Sequence, residues 1–422
     1  MLKSSLTFFI IIWFQISNAQ QVDAGNGHAI ILDKHGSVFT LGRNDFGQLG
    51  IGSRENSSVP IKLAVLPKIK SISRGYDHSL AIDADGYLWS WGRNNYGQLG
   101  TSLPKDFGTP QRMEGHKFIA VEGGHWHSVG LKSDGTVWAW GHNYYGELGS
   151  GDREHSTFPR QVVDAKGWPL VEIKQIVSVG YHTLALNKNG HVFSWGGNES
   201  GELGHFKNKT QHYAAQIDNL ESVKSIAVGW HHSVALNQQG EVYVWGSKPS
   251  TQQKESIGAY YPKLTKLNSL PQIKKIACGS WHSLAIDVKG NVWGWGKNHF
   301  GMLGTGDSLS TEKPIIISEL KNICQIGGGC FQSLAVDKNG DIWTMGDNRC
   351  GQLGQGDNDR LYSPSKIDLS KAAEFSGTNL EQQITAIPFK RILKYALLGI
   401  SILFNLHFAF RLYKSRRVRL HS

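Results

Sequence analysis

Apolar and polar positions alternate in short segments along most of the chain, and the alternation recurs in register. The clearest copy runs from Gly279 to Gly304 with the sequence GSWHSLAIDVKGNVWGWGKNHFGMLG. Leu284 and Ile286 fall on one face of an extended segment, and small side chains fall on the other face. The pattern predicts a strand, a tight hairpin at Lys289-Gly290 and a second strand over Val292 to Gly296.

Two columns of residues mark this unit in seven copies. The intervals between copies are 50, 49, 55, 50, 50 and 50 residues in both columns. The first column contains His28, His78, His127, His182, His232, His282 and Gln332, and the second contains Gly42, Gly92, Gly141, Gly196, Gly246, Gly296 and Gly346. A fixed period of this size is typical of a solenoid or a propeller. Seven strand-rich units predict an all-β, seven-bladed β-propeller.

The turn that follows the second strand repeats as well. Asn298, Gly301 and Gly304 suit tight or left-handed backbone, and Leu303 lies between them as an apolar plug. The sister hairpins carry Asp-Gly or Asn-Gly, as at Asp85-Gly86, and this dipeptide predicts positive φ at both central residues. These turns are therefore interpreted as structural.

The combined pattern resembles that of a known family. G-x-x-H-S-L-A followed by W-x-W-G-x-N-x-x-G-Q-L-G, as in Gly75 to Gly100 and Gly124 to Gly149, is similar to the repeat of the regulator of chromosome condensation family. The resemblance covers about residues 21 to 369 and implies the seven-bladed propeller of that family. It implies no single function, because the family includes exchange factors for small GTPases, ligase-associated scaffolds and secreted bacterial inhibitors.

The ends of the repeat region look complementary. The first copy begins at Gln21 without the preceding outer-strand sequence, and a matching piece appears at Ser363 to Leu369. We therefore expect the propeller, residues 20–369, to be closed by its chain ends, with the terminal strand completing the first blade and leaving no long unpaired edge.

Two segments outside the repeats predict export and a membrane tether. Residues 1–19 combine Lys3 with the apolar run Leu6 to Phe14 and small residues before Gln20, which is typical of a secretory signal peptide. An uncleaved anchor is the alternative, and the short run disfavours it. Residues 370–388 have the composition of a linker.

Residues 389–411 are predicted to form a transmembrane helix. Its apolar part, Ile392 to Phe410, has 19 residues, enough at about 1.5 Å each to cross a bilayer's hydrocarbon layer. The basic tail, 412–422, should stay cytoplasmic, so the propeller should lie outside the cytoplasm.

The charge distribution argues against a nucleic-acid partner. The formal net charge is +10, but nine positive charges belong to Lys3 and to the eight basic residues from Lys390 onward. The repeats therefore carry about +1. A surface that neutralises phosphates needs more positive charge than this, and no nucleic-acid partner is expected.

The histidine column is interpreted as structural. Each histidine begins the same strand, usually next to Ser or Thr, and is expected to bond a neighbouring backbone group. Zinc needs three or four ligands around one point, whereas a ring spreads these side chains apart. The sequence contains no nucleophile elbow, phosphate loop or zinc-type cysteine spacing. We therefore expect neither an enzyme nor a cofactor, and the four cysteines are left unassigned.

Two irregular loops provide the candidate contact residues. The longer interval after the third copy adds Asp164 to Pro169, and in the fifth copy Ser247 to Tyr261 replaces the usual turn. An exposed tryptophan in an inserted loop can bind a partner but more often packs over a blade edge. The candidate residues are Lys248, Lys254, Glu255, Tyr260, Tyr261, Asp164, Lys166 and Trp168.

Three functional hypotheses remain open. The first is a non-catalytic, membrane-tethered propeller that binds a protein through loops on one face. The second, implied by the resemblance, is an exchange factor for a small GTPase, such as a secreted bacterial effector, in which the replaced turn wedges against the GTPase. The third is an inhibitor of a secreted or periplasmic enzyme. The location of the propeller would separate the first two.

Overall fold

The structure, a computed structural model, describes residues 21–205, 210–248 and 260–377. Over these ranges the chain forms twenty-nine β-strands and one short 3-10 helix, and the strands form seven sheets. Each sheet contains four consecutive strands, and the first strands of neighbouring sheets contact one another in a closed circle. The predicted seven-bladed propeller is confirmed.

The strand bounds of blades one to four are β1 (Gln21–Ala24), β2 (His28–Leu32), β3 (Val38–Gly42), β4 (Ser57–Leu63); β5 (Ile69–Arg74), β6 (His78–Asp83), β7 (Tyr87–Gly92), β8 (Phe107–Lys117); β9 (Ala120–Gly123), β10 (His127–Leu131), β11 (Val137–Gly141), β12 (Ser156–Gln161); β13 (Ile173–Val179), β14 (His182–Asn187), β15 (Val192–Gly196) and β16 (Gln211–Gln216). Those of blades five to seven are β17 (Val223–Val228), β18 (His232–Asn237), β19 (Val242–Ser247), β20 (Tyr260–Lys266); β21 (Ile273–Cys278), β22 (His282–Asp287), β23 (Val292–Gly296), β24 (Thr311–Ile316); β25 (Ile323–Gly328), β26 (Gln332–Asp337), β27 (Ile342–Gly346) and β28 (Leu361–Ile367). The 3-10 helix (Leu369–Lys371) and β29 (Ala373–Phe375) follow.

The antiparallel order gives the disc two distinct faces. The loops joining first to second and third to fourth strands emerge at one end of every blade, and we call this the upper face. The hairpins between second and third strands and the connections between blades emerge at the lower face. A loop's position in the repeat therefore decides the face on which its side chains lie.

The core lies between the blades. Five tryptophans of the third strands, Trp91, Trp140, Trp195, Trp245 and Trp295, are almost completely buried. Trp195 of blade four packs in a cluster with Val129 and Leu131 of blade three. Its indole nitrogen donates to Glu147 O, also of blade three, at 2.9 Å. Each blade therefore buries its apolar face only against its neighbour, as the repeat pattern predicts.

The predicted route of ring closure is wrong in one respect. The last repeat strand, β28, pairs with β27 and completes blade seven, with Gly346 opposite Leu361. Residues 347–360 connect β27 to β28, and strands that are consecutive in the chain usually pair with each other. Closure comes instead from β29, which adds to β4 of blade one in parallel, with Ala373 opposite Ile61. Residues 370–377, expected in the linker, thus contribute a fifth strand to blade one.

The junction between blades seven and one is also packed and hydrogen-bonded. Ile367 packs in one cluster with Ile31 and Leu41 of blade one. Cys330 N donates to Gly25 O at 3.2 Å, and Gln332 Nε2 donates to His28 O at 3.2 Å. The first and last blades therefore meet through contacts like those between the other blades.

The hairpin turns differ from the prediction of two positive φ angles. At Asp85-Gly86 only the glycine has positive φ, at 91°. The Asp83 carboxylate accepts from the backbone N–H groups of Asp85 and Tyr87 at 3.0 and 2.9 Å. These two hydrogen bonds hold the turn in place, so a second residue with positive φ is not needed. The Asn298 turn is as expected, with Gly301 and Gly304 at positive φ and Leu303 fully buried.

The predicted signal peptide at 1–19, the transmembrane helix at 389–411 and the tail at 412–422 lie outside the described residues. Among the residues that the structure does describe, no helix has the length and apolar character needed to cross a membrane.

Candidate interaction face

The histidine column joins each blade to the next. His78 Nε2 lies 3.0 Å from Ser128 Oγ of the following blade, and that hydroxyl donates to Gln98 O at 2.7 Å. Because the serine proton is used for the carbonyl, the histidine must be the donor, protonated at Nε2. The other pairs are His28 with Ser79, His127 with Ser178, His182 with Ser233, His232 with Ser283 and His282 with Ser333. The expected backbone partner occurs only at Gln332.

These histidines are neutral. Burial lowers the pKa of His28, His78, His127 and His232 to about 3 and that of His182 and His282 to about 4. Such groups do not exchange protons near neutral pH, so they are unsuited to general acid-base catalysis. Within the described ranges, no group of three or more His, Cys, Asp or Glu side chains could hold a metal ion.

Aromatic side chains cover the centre of the upper face. They precede the histidine column by one or two positions, and we call Tyr76, His125, Trp126, Tyr181, Trp230 and Trp281 the aromatic face. The Tyr76 and Trp230 rings lie 5.2 Å apart although they come from blades two and five, which are nearly opposite in the ring. His125 contacts both rings, at 4.2 and 5.0 Å. The rings therefore meet over the propeller axis.

Burial keeps the polar ends of this surface uncharged. It raises the pKa of Tyr76 to about 12 and also raises that of Tyr181. Farther from the axis, His142 Nδ1 lies 2.6 Å from the buried Glu147 carboxylate, which also accepts from Tyr145 N at 2.8 Å. The sector over blades three to five is thus aromatic, and the Glu147 carboxylate lies buried below its surface.

A different pattern occupies the upper face of blades seven, one and two. Arg43 and Arg93 both reach the buried Asp77 carboxylate, at 3.5 and 3.2 Å. Arg93 also lies over the Phe46 ring, 4.4 Å from its centroid. We call Arg43, Arg93, Arg349 and Arg360 the arginine edge. One buried carboxylate orients each pair, so the guanidinium groups are presented in fixed positions.

The second arginine pair repeats this arrangement. Arg349 and Arg360 lie 3.0 and 3.2 Å from the buried Asp347 carboxylate. Both stack on Phe300, with centroid distances of 5.3 and 4.7 Å. The upper face therefore has an aromatic sector and a guanidinium sector side by side.

The described candidate residues of blade five, Lys248, Tyr260 and Tyr261, lie on the upper side of that blade, where β19 connects to β20. Lys248 pairs with Glu312 at 2.6 Å. Tyr261 packs against the cluster that contains Val244 and Trp295, and burial raises its pKa to about 12. Tyr260 lies in β20 opposite Ser247. Lys254 and Glu255 lie outside the described residues.

The other candidate loop lies on the lower face, because it connects β12 to β13. The Asp164 carboxylate accepts from Lys166 N at 2.8 Å and Trp168 N at 2.9 Å, which orders the turn. The Trp168 side chain is 67% exposed. The favoured expectation that it packs over a blade edge is therefore wrong. The two sets of candidate residues are on opposite faces and do not form one site.

Sequence reasoning missed the aromatic face and the arginine edge. A signal for the first was present: the positions just before the histidine column are aromatic in most copies but differ in identity, whereas the flanking positions repeat. Variation within a repeated frame is typical of a binding surface on a repeat scaffold.

The family model described as the RCC1-like domain matches residues 12–256 and 105–387. Together these ranges include most of the chain, which therefore belongs to the RCC1-like domain family. The chain is also similar to the ultraviolet-B receptor UVR8 of Arabidopsis thaliana, with 28% identity over 203 residues. That match covers 47% of this chain and 46% of the receptor, about half the length of each.

Solved structures give the same assignment. Prp20p of Saccharomyces cerevisiae is similar with a TM-score of 0.69 and 26% identity, covering 79% of this chain and 86% of that one. It is described for its binding to Gsp1p and histones. Yeast RCC1 (Prp20) bound to Kap60 is similar with a TM-score of 0.68 and 26% identity, covering 79% and 83%. Human WBSCR16, at 24% identity and a TM-score of 0.66 over 75% and 86%, supports the fold alone. None of these matches indicates a catalytic family.

Proposed function

We propose that this protein is a non-catalytic interaction propeller that binds another protein through its aromatic face. The observation that carries the proposal is the continuous surface of partly exposed tryptophan and tyrosine rings packed around the buried His125 and bordered by the arginine edge. Large contiguous apolar patches on soluble folds mark interaction sites. Tryptophan, tyrosine and arginine are also the residue types that contribute most binding energy at protein interfaces.

The backbone beneath the aromatic face supports this proposal. Tyr76 N donates to Gly124 O at 3.1 Å, His125 N to Gly180 O at 2.7 Å and Trp230 N to Ser280 O at 2.9 Å. Each bond connects neighbouring blades at the level of the aromatic side chains. The rings are thus held before a partner arrives, and a preorganised surface loses little conformational entropy on binding.

The first prediction compares tryptophans on the two faces. Trp126→Ala and Trp281→Ala should each weaken binding by about 2 kcal/mol, roughly 30-fold in Kd, because each removes a large contact surface. Trp168→Ala, on the lower face, is the matched control and should leave Kd unchanged. Partners captured by the wild-type propeller should be purified and their affinities measured for all three variants. Equal Kd values across the set would contradict the proposal. The captured partner's identity also tests the inhibitor hypothesis.

A second candidate function is nucleotide exchange on a small GTPase. It is favoured by the similarity to Prp20p, which is described as binding Gsp1p, and by the replaced turn in blade five. The test is release of fluorescent GDP from Gsp1p by the purified propeller. A matched variant carries the blade-six turn, Lys297 to Gly304, in place of residues 249–259. This graft keeps the pairings of Ser247 with Tyr260 and of Gly246 with Tyr261. Exchange should occur with the wild type and disappear in the graft; release at the spontaneous rate with both would reject this function.

The propeller is further proposed to be displayed outside the cytoplasm on a membrane tether. This rests on the sequences of residues 1–19 and 389–411 alone. The second prediction is that deleting Pro388 to Ser422 moves the protein from the membrane to the soluble fraction without changing its melting temperature. Protease added to intact cells should degrade the propeller of the full chain. A shortened chain that still sediments with membranes after a high-salt wash would show that the tether assignment is wrong.

A further inference from the structure

The axis of the propeller contains a cavity of about 260 Å³ below the aromatic face. The first strands of all seven blades line it. At the upper end, the Tyr76, His125 and Trp230 rings contact one another over the axis. The cavity is therefore capped above and approached from the lower face.

At one position of the repeat the first strands change from polar in blades one to three to small or apolar in blades four to seven, while Gln175, Ser178 and Ser225 add polar groups to the wall of the cavity in blades four and five. The residues five positions before the repeat column are Asp23, Ser73, Glu122, Val177, Ala227, Ala277 and Gly327. Blades one to three contribute the three polar side chains, and blades four to seven contribute small or apolar ones. The small side chains leave the cavity unfilled, and the polar side chains provide groups that can bind a polar or charged ligand.

The two carboxyl groups of the wall differ in their partners, because Asp23 has a cationic partner and Glu122 has a neutral one. Arg74 donates to the Asp23 carboxylate at 3.3 Å and to Gly328 O at 2.8 Å, and its side chain is 6% exposed. The guanidinium charge is thus already used. Glu122 accepts from Ser73 Oγ at 3.2 Å. Arg74, the cation in the lining, favours the ionised form of Glu122 electrostatically, but its ion pair is with Asp23. Glu122 keeps part of its surface open to the cavity.

We propose that the axial cavity binds a small primary alkylammonium ion, with the ammonium group at the Glu122 carboxylate and the alkyl chain against Val177, Val228 and Ile276. A bound cation supplies the counter-charge that the ionised Glu122 carboxylate needs. A carboxylate ligand would instead meet two carboxyl groups and an arginine that is already paired. The volume suits a chain of a few carbon atoms.

Binding should release a proton. Burial, followed by the neighbouring Asp23, raises the pKa of Glu122 to about 8, so the free acid predominates near pH 7. The other titratable groups in the lining are Asp23, Arg74 and Cys278, and burial raises the pKa of Cys278 to about 12. A bound ammonium favours the ionised carboxylate, so the Glu122 proton passes to solvent while the ligand keeps its own.

The experiment is calorimetric titration of the full-length protein with butylammonium near pH 7 in two buffers that differ in ionisation enthalpy. The expected result is saturable binding with release of nearly one proton per ligand, and tighter binding without release above the Glu122 pKa. Butyrate and butanol, which have the same chain, should bind at least about tenfold more weakly. Absence of saturable butylammonium binding, binding without proton release, or equal binding of butyrate would each overturn the proposal.

Two variants test whether Glu122 is responsible for ligand binding and proton release. Glu122→Gln keeps the size of the side chain and a hydrogen bond to Ser73, so it should fold, and it should lose both binding and proton release. Glu114→Gln, whose side chain is 73% exposed in β8, is the control and should retain both. If Glu122→Gln retained wild-type binding, the site would be rejected. If it failed to fold, the three-ligand comparison on the wild-type protein would decide.

Discussion

At the residue scale, the histidine column acts as a set of hydrogen-bond donors. Six rings pair through Nε2 with a hydroxyl of the next blade, and in the His78 pair the Ser128 hydroxyl gives its own proton to Gln98 O, which leaves the ring as the donor. Gln332 keeps a donor at the same position but reaches the backbone of blade one. The column therefore requires a donor of suitable length, and it requires no metal.

The third prediction follows from this role. His282→Ala should lower the free energy of unfolding by about 1–2 kcal/mol, because Ser333 loses its buried donor. His282→Gln, which reproduces the residue of the seventh copy, should lose less. Urea unfolding provides the measurement, and the exposed His35→Ala is the control. An alanine variant as stable as the control, or tight stoichiometric zinc binding that the variant loses, would contradict the structural role.

The fourth prediction concerns pH. The six buried histidines have folded pKa values of about 3 or 4, whereas an unfolded chain has histidine pKa values near 6.5. Below that value the unfolded state binds protons that the folded state does not, so stability is complete above it and falls as the pH decreases. Each histidine contributes up to ~1.4 kcal/mol per pH unit.

Urea unfolding at a series of pH values from neutral downwards checks this dependence. In His282→Gln the free energy of unfolding should depend less steeply on pH, because the variant has one titrating histidine fewer. A free energy of unfolding that stays constant from pH 7.5 to about 5.5 would show that these rings accept protons in the folded state.

At the scale of the element, a blade is complete only when its fourth strand is present. β28 completes blade seven, and Ile367 from this strand packs with residues of blade one. β29 adds outside β4 and contributes three residue pairs. The two terminal elements should therefore differ in their importance for the fold.

The fifth prediction is a truncation series followed by thermal melting. A chain ending at Gly377 keeps every described strand and should melt like the full chain. Ending at Ala372 removes β29 and should cost about 1 kcal/mol, typical of a few exposed hydrogen bonds. Cutting before Ser363 removes most of β28 and the Ile367 contact and should cost at least ~2–5 kcal/mol, the range for a lost core side chain. Identical melts for all three would show that closure does not depend on the chain end.

The sequence predicted features that depend on local pattern and left out those that depend on distant contacts. The alternation of apolar and polar residues, the Asn298 turn and the glycine column are local patterns. They were sufficient to predict the blades and the number of blades. β28 could complete either blade seven or blade one, and its sequence fits both positions. The sequence alone therefore did not show that β28 pairs with β27. The contact between Tyr76 and Trp230 joins residues of nonadjacent blades, and no periodic pattern indicates it.

At the scale of the whole molecule, the blades form the scaffold, and most of the candidate binding residues lie in the loops on its two faces. The apolar core of each blade packs against the neighbouring blades, so stability is distributed around the disc and individual loops can vary without loss of the fold. The variable positions before the histidine column make use of this freedom. The aromatic face and the arginine edge occupy the upper face, whereas Trp168 and the cavity entrance belong to the lower face.

The aromatic rings that meet over the axis also separate two kinds of occupancy. The proposed protein partner would cover the closed side of the disc, whereas the proposed small cation would enter the cavity from the open side. Neither occupant blocks the other's route, so both can be present at once. The layer formed by Tyr76, His125 and Trp230 lies between the two positions, so each occupant would contact one side of it.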